Sequence, residues 1–471
     1  MVVNAGPMTE EAEHNADQRD PARLIPSSVQ SPSSVRGACP SLAAPMHTGD
    51  GLLVRFRPSD PALSIQQIRQ LAEAAACHGN GLLEITSRGS LQIRGLREET
   101  LSALEADIAA AGIVPDSGIV IEIPSLSGLD PTELSSAGVM AENLKRAIAG
   151  MPLPALAPKL SIVIDGRDRI GLGSLPADIR LTATRREGGD PEWIVAVGGA
   201  SRMDRRLAIL PNERAISATV EILRLLAEIG PRARGRDLSI DRLRPSFPDI
   251  EMIEMTDPGR AVASPIGLHD LGSGNLVFGL RLPYGQIHSA ELIAFLDRAE
   301  EWGVYEVRPA LEHCLMLVGM RPEALASAKL AAANFGFSMS TDDPRNHIHT
   351  CAGTRGCASA FYDTKAFAAR LLTASGLLDG STSIHLSGCS KGCARPARAS
   401  LAFVGAPMGY GLVVNGSASD APVAYIHEND LKSALDDLSR LVLNEKGAGE
   451  SVDACLTRLG SDYIASALRQ G

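Results

Sequence analysis

The chain has 471 residues, of which 45% are hydrophobic and 21% charged, and its formal net charge is −10. That length predicts about two to four domains, the acidic balance excludes a general nucleic-acid binder, and no apolar run approaches the ~20 residues of a membrane span. The opening MVVNAGPMTEEAEHNADQRD has neither the basic nor the apolar region of a secretory signal, which predicts a cytoplasmic location where free thiols persist.

Residues 1–36 are rich in Pro, Ser, Asp and Glu without hydrophobic periodicity and read as a disordered tail. A first unit over 37–115 begins with an alternating strand at Gly51–Arg57. A helix over Ser64–His78, strands at Leu82–Thr86 and Leu91–Arg94, and a helix near Thr100–Ala111 follow. The same order returns over 261–338, with a strand at Leu276–Leu282, a helix at Ser289–Trp302, strands at Val304–Arg308 and Cys314–Val318, and a helix at Pro322–Asn334. In this alignment Glu84-Ile85 matches Glu306-Val307, and Gly95 matches Gly319. Such a β-α-β-β-α unit exposes an apolar sheet face and needs its second copy to bury it. Between and after the copies lie two α/β regions, 116–260 and 339–471. The first holds a helix near Glu133–Ala149, strands at Lys159–Asp165, Ile179–Thr184 and Trp193–Val197, and a helix at Ala215–Ile229. The second has a helix near Thr364–Ala374, a strand at Ser400–Val404, a hairpin near Tyr410–Val414 and two C-terminal helices read as core or cap.

Four cysteines, Cys351-x5-Cys357 and Cys389-x3-Cys393, flank the helix of the second region. Two pairs about thirty residues apart can converge from two loops and give each iron of a [4Fe–4S] cluster one thiolate. Gly353, Gly356, Gly388 and Gly392 would let backbone amides approach its negative charge. A structural zinc competes, although zinc sites favour about two to four residues between paired cysteines; unliganded thiols are the third reading. Pro396 predicts a loop rather than a helix for the second pair. Cys39, Cys77, Cys314 and Cys455 lack paired spacing and read as small buried apolar residues, with Cys39 the one whose role stays open. Gly171-x-Gly173-x-x-Pro176 lacks the third glycine of a dinucleotide fingerprint, so electrons must come from a separate donor.

The duplicated unit, the cysteine quartet, Arg55-Phe56-Arg57 and Thr86–Gly95 together resemble the nitrite and sulfite reductase superfamily. The segments Arg36–Met46, Gly171–Arg180 and Ser387–Ala394 resemble, within it, the precorrin-3B synthase family of aerobic cobalamin biosynthesis. The resemblance implies an α+β fold of duplicated nitrite/sulfite reductase-like architecture: two ferredoxin-like half-domains paired pseudo-symmetrically, plus two α/β domains. Its reductases bind a sirohaem sharing the last cluster cysteine, here Cys393, and hold a small anion with Arg and Lys. Mapped onto this chain, Arg55, Arg57, Arg88, Gln92 and Lys159 become the tetrapyrrole- and anion-contacting candidates. The second lysine of the usual Lys-x-Lys strand is Ser161, and one arginine has no counterpart in Asp116–Glu122. Losing one charge from a desolvated oxyanion pocket costs about 2–4 kcal/mol of transition-state stabilisation, so sirohaem and a sulfite- or nitrite-reducing activity are disfavoured.

The synthase resemblance implies a monooxygenase that hydroxylates precorrin-3A at C20 with γ-lactone formation, using O2 and electrons from an NAD(P)H-linked reductase or a ferredoxin. A cluster passes single electrons and does not insert oxygen, which predicts a second, mononuclear iron. Among His47, Asp50, His269, His313, His347 and His349 no two-His, one-carboxylate set is recognisable; His347 and His349 are the nearest pair to the cysteines. A non-enzymatic electron-transfer or redox-sensing protein is the remaining alternative.

Overall fold

The computed structural model describes residues 40–152, 154–173, 175–185, 188–199, 205–247, 262–272, 274–395 and 397–470. The expected tail over 1–36, Cys39 and Pro396 lie outside them. In chain order the first β-rich part comprises β1 (Met46–Thr48), β2 (Gly51–Phe56), β3 (Leu63–Ser64), α1 (Ile65–His78), β4 (Leu82–Ile85), β5 (Leu91–Leu96) and α2 (Glu98–Ala110). Then come β6 (Val120–Glu122), α3 (Ala137–Ala149), β7 (Ser161–Asp165), β8 (Ala177–Arg185), β9 (Pro191–Gly199), β10 (Arg205–Leu210), α4 (Asn212–Ile229) and α5 (Ile240–Leu243). The second copy holds β11 (Gly267–Asp270), β12 (Leu276–Arg281), β13 (Gln286–His288), α6 (Ser289–Glu301), β14 (Glu306–Ala310), β15 (Cys314–Met320) and α7 (Leu325–Asn334). The last part is β16 (Ile348–Thr350), α8 (Thr364–Leu371), β17 (Ile384–Ser387), β18 (Ala399–Ala406), β19 (Gly409–Gly416), β20 (Ala424–Ile426), α9 (Leu431–Glu445) and α10 (Val452–Gln470).

The two copies exchange strands. One sheet runs β1-β2-β5-β4-β13 and the other β11-β12-β15-β14-β3, so each completes its edge with a short strand from the other copy. Ile287 of β13 pairs with Leu83, and Leu63 of β3 with Val307. Each short strand leads straight into a helix, α1 or α6, whose apolar stripe (Ile65, Ile68, Leu71; Leu292, Phe295, Leu296) enters one core shared by both copies. Ser64 and Gln67 close a capping box on α1, satisfying end donors that the helix itself leaves open.

Strand pairing corrects the internal alignment. Gly95 and Gly319 do correspond, both at positive φ. Counting along β5 and β15 from them, Gln92 stands where Met316 stands, and their cross-strand partners are Glu84 and Arg308. Glu84 therefore matches Arg308 rather than Glu306, and Arg57 matches Arg281. The two repeats share apolar positions and the Arg57/Arg281 pair, but Gln92 and Glu84 meet Met316 and Arg308, and matching the two glutamates shifted the register by two residues.

The sheets β10-β9-β8-β7-β6 and β16-β17-β18-β19-β20 repeat a second plan, three parallel strands continued by antiparallel ones. Ile162 of β7 and Ile384 of β17 hold the same place between their neighbours. The loops after β6 and β7 (123–136 and 166–176) thus correspond to those after β16 and β17 (351–363 and 388–398). In the first pair Leu126 and Ile170 pack on Val277, Cys314, Met316 and Val318 of the second copy's sheet, closing that face with an apolar cluster. On the first copy's sheet the equivalent positions are Gln92 and Arg94, and the loops that cover them carry the cysteines.

Candidate functional site

Cys351 directly follows β16, and Cys389 follows β17 after Gly388, on an irregular segment that also holds Cys393, as the loop expectation required. The backbone shapes a cradle around the sulfurs. The amides of Gly388 and Gly353 point at Cys351 Sγ, 3.1 and 3.4 Å away. Gly353 has φ 63°, and a Cβ there would fall 2.8 Å from the Thr364 nitrogen, so only glycine fits between Cys351 and the start of α8. Asp363 caps α8 through the Lys365 and Ala366 amides, and Thr364 Oγ1 donates to the Cys351 carbonyl at 2.8 Å. Burial raises the Cys393 thiol, and the neighbouring Cys389, Cys351 and Cys357 raise it further. Among the described residues no three His, Cys, Asp or Glu side chains close on a single-ion position. Four cysteines brought to neighbouring loops, with two glycine amides directed at Cys351 Sγ, are a donor set that suits a cluster taking one sulfur per iron.

The Cys351–Cys357 loop is clamped against the first copy's sheet. A Cβ on Gly49 would stand 1.7 Å from the Ala358 nitrogen, so the β1–β2 turn touches the loop backbone. Arg94 donates to the Gly356 carbonyl (2.7 Å) and to both Asp50 oxygens (3.1 and 3.0 Å). Burial opposes its charge, but Glu84 and Asp50 outweigh burial and hold it protonated. Beside it, Arg55 donates twice to Gln92 Oε1 (2.9 and 2.8 Å), and Gln92 and Gln286 both donate to Glu84. Lys365 reaches Gln286 and completes a knot joining both copies to the cysteine-bearing part. Burial pushes the Glu84 carboxyl up against the pull of Arg94 and Lys365, and pushes the Lys365 ammonium down.

Past the end of β2 the sheet borders a cavity of about 650 Å³ lined by Arg57, Arg88, Glu122, Lys145 and Arg308. Arg57 donates to the Arg88 carbonyl at 2.9 Å. Glu122, only 3% exposed, sits between the two guanidinium groups, 3.2 Å from Arg57 and 3.0 and 3.1 Å from Arg88. The expected ligand-contacting residues thus fall into two places: Arg57 and Arg88 on the cavity, Arg55 and Gln92 in the knot. Lys159 is exposed ahead of β7 and outside the lining. Ser161 is on β7, its amide bonded to Asp178.

The histidines are arranged differently from the expected pair. His347 ends a short 3-10 turn, whereas His349 lies on β16 directly opposite His385 of β17. Burial and then Arg395, whose Nη1 is 3.2 Å from its Nε2, lower His349 to about 3. Burial lowers His385 to about 4; it is 0% exposed and neither ring nitrogen has a partner. His269 is buried against the Pro265 carbonyl, Asp50 serves Arg94, and His47 is exposed. The candidates therefore do not assemble the predicted mononuclear iron site among the described residues. Arg94, Glu84, Glu122, Lys365 and His385 escaped sequence reasoning. The alternation Gln92-x-Arg94 was the available signal for Arg94; nothing local marks Glu122.

The duplicated strand-exchanged sheets with a cysteine cradle facing one of them define the nitrite and sulfite reductase architecture. Residues 44–111 match the nitrite/sulfite reductase ferredoxin-like half domain. The solved structure of Mycobacterium tuberculosis NirA superposes with a TM-score of 0.66 at 17% identity, over 88% of this chain and 84% of that one. An assimilatory ferredoxin-dependent nitrite reductase of Haloferax mediterranei is 22% identical over 88% of this chain and 83% of its own length. A precorrin-3B synthase of Sinorhizobium is 45% identical over 93% of this chain and 95% of its own length. The chain belongs to the precorrin-3B synthase family and is an enzyme.

Proposed function

We propose that the chain converts precorrin-3A to precorrin-3B in aerobic cobalamin biosynthesis, hydroxylating C20 and closing the γ-lactone with O2. The observation that carries this is the neutralised cavity: Glu122 pairs with Arg57, one of the two strand arginines a small-anion reductase would present to sulfite or nitrite, and with Arg88, while the other, Arg55, is spent on Gln92. Arg57, fixed by Glu122 and the Arg88 carbonyl, orients the wall, and Lys145 at its margin is held by Asp116 and Glu142, so a large macrocycle would meet a wall whose charges are already paired rather than a bare cationic cage. A [4Fe–4S] cluster held by Cys351, Cys357, Cys389 and Cys393 would supply single electrons there. The Arg94–Asp50–Glu84 knot fixes the cysteine loop against the sheet bordering the cavity, and buried neutral His349 and His385 lie behind the same loops without adding charge.

The test is anaerobic purification followed by incubation with precorrin-3A, isotopically labelled dioxygen and a reductant. Labelled hydroxyl in a lactone product supports the reading; an intense sirohaem Soret band with sulfite or nitrite turnover would replace it with the reductase alternative. A cluster spectrum without turnover would favour an electron-transfer or sensing role. Cys389→Ser is expected to remove cluster absorption and turnover together.

A further inference from the structure

The turn between β14 and β15 holds two consecutive residues, Glu312 and His313, at positive φ (59° and 64°), a region that disfavours residues with a Cβ. Counted from the matched Gly95 and Gly319, His313 takes the place that Gly89 (φ 77°) has in the β4–β5 turn, and Glu312 that of Arg88. The first copy relieves its turn with glycine; the second keeps a histidine. Such strain persists only where the surroundings over-determine it. The Leu282 amide donates to the His313 carbonyl at 3.0 Å, and Gly285 leaves room for the ring, since a Cβ there would stand 2.5 Å from Nδ1. That Nδ1 is 2.7 Å from the Ile85 carbonyl of the first copy. A carbonyl only accepts, so Nδ1 carries the proton, and burial, followed by Arg281, keeps the ring neutral by lowering it to about 4. The Glu312 amide donates to the Ser87 carbonyl at 3.0 Å, and a Cβ on Gly89 would stand 3.0 Å from the Ala310 carbonyl carbon, so the two turns meet backbone to backbone. Both border the cavity, Arg88 and Gly89 from one copy, Ala310 and Leu311 from the other, while His313 is outside the lining. Arg88 reaches on to Glu122 and to the Pro176 carbonyl.

We propose that His313 is a positioning residue for substrate: from the second copy it holds the Ile85–Ser87 backbone of the first, so that Arg88 meets Glu122 and the cavity wall keeps one shape against the macrocycle. The assignment rests on the functional reading above. The test is steady-state turnover of precorrin-3A by the holoprotein with O2 and a reductant, in the parent and two variants. His313→Gly accepts positive φ freely but has no ring proton to donate, whereas His313→Asn tolerates positive φ and returns an N–H where Nδ1 stood. Loss of that one hydrogen bond in His313→Gly is expected to raise KM about threefold to tenfold. Its kcat is expected to stay within about twofold of the parent, the split that marks lost binding rather than lost chemistry. His313→Asn is expected to recover most of the parent KM, and both variants to keep cluster absorption and far-ultraviolet circular dichroism. A parent KM in His313→Gly, or a His313→Asn as impaired as His313→Gly, overturns the positioning role. Loss of cluster absorption or helix signal in either variant makes the ring a general support and overturns it too. A folded, cluster-loaded parent that does not turn over precorrin-3A overturns the functional reading, and the positioning role with it.

Discussion

Removing the carboxylate of Glu122 leaves the guanidinium groups of Arg57 and Arg88 side by side without their shared counter-ion. Glu122→Gln is expected to cost about 1–3 kcal/mol, less than a fully buried pair because Arg57 and Arg88 are partly solvated. The same change should let sulfite bind measurably by calorimetry where the parent protein binds none; unchanged sulfite binding would show that the carboxylate does not set anion preference. Asp168 presents the opposite case. It is 1% exposed, its Oδ2 has no partner, and burial, followed by Asp165, Glu133 and Asp130, raises its carboxyl to about 8. The folded state keeps that proton while the unfolded chain releases it above its ordinary value of 3.8, so stability is full below that value and is lost as pH rises towards 8. Asp168→Asn should therefore melt higher than the parent at pH ~8–9 and lose that advantage towards pH ~4; parallel melting curves across the range would contradict it.

At the scale of elements, the contact between the β1–β2 turn and the cysteine loop depends on a missing side chain. A methyl group at Gly49 would overlap the Ala358 nitrogen and the Cys357 backbone, both rigid. Gly49→Ala is expected to lift the 351–363 loop from the sheet, so that iron and acid-labile sulfide per chain fall by more than half while far-ultraviolet circular dichroism is kept. Full cluster content in that variant would place the cradle's rigidity elsewhere. Elements of this kind show how much the sequence discloses. The long periodic ones, α1, α6 and β12, follow from hydrophobic spacing, and the cysteine loops follow from Gly and Pro. β3 and β13, with two and three residues, carry no period and exist because the other copy offers an edge. The helix expected from Glu133 begins instead at Ala137, because Glu133 folds back to accept from the Ala137 and Gly128 amides and Ser136 takes the cap. Cys77, expected buried, is exposed, whereas Cys314 and Cys455 are buried as expected.

Across the whole molecule, two pseudo-equivalent sheet faces differ among the described residues: one carries Gln92 and Arg94 under the cysteine loops, the other is sealed by an apolar cluster. The sequence discloses the duplication and the cysteines that mark one side, but not that the other side is filled, because Leu126 and Ile170 meet Met316 and Val318 only through the fold. Glu122 joins Arg57 and Arg88 across 65 and 34 residues by the same long-range route. Division of labour between the sides makes a prediction distinct from that for Gly49. Leu126 is fully buried in the apolar seal, and Leu126→Ala should cost about 2–5 kcal/mol through lost contact and cavity formation. Its loop is the counterpart of the 351–363 loop but touches the opposite sheet, so cluster iron and sulfide per folded chain should stay at the parent value. Chemical denaturation and iron analysis on the same sample separate the outcomes. A variant that unfolds earlier with its cluster intact fits a seal that stabilises without shaping the cradle; equal loss of cluster and stability would mean the two sides are mechanically coupled through the shared core of the paired sheets.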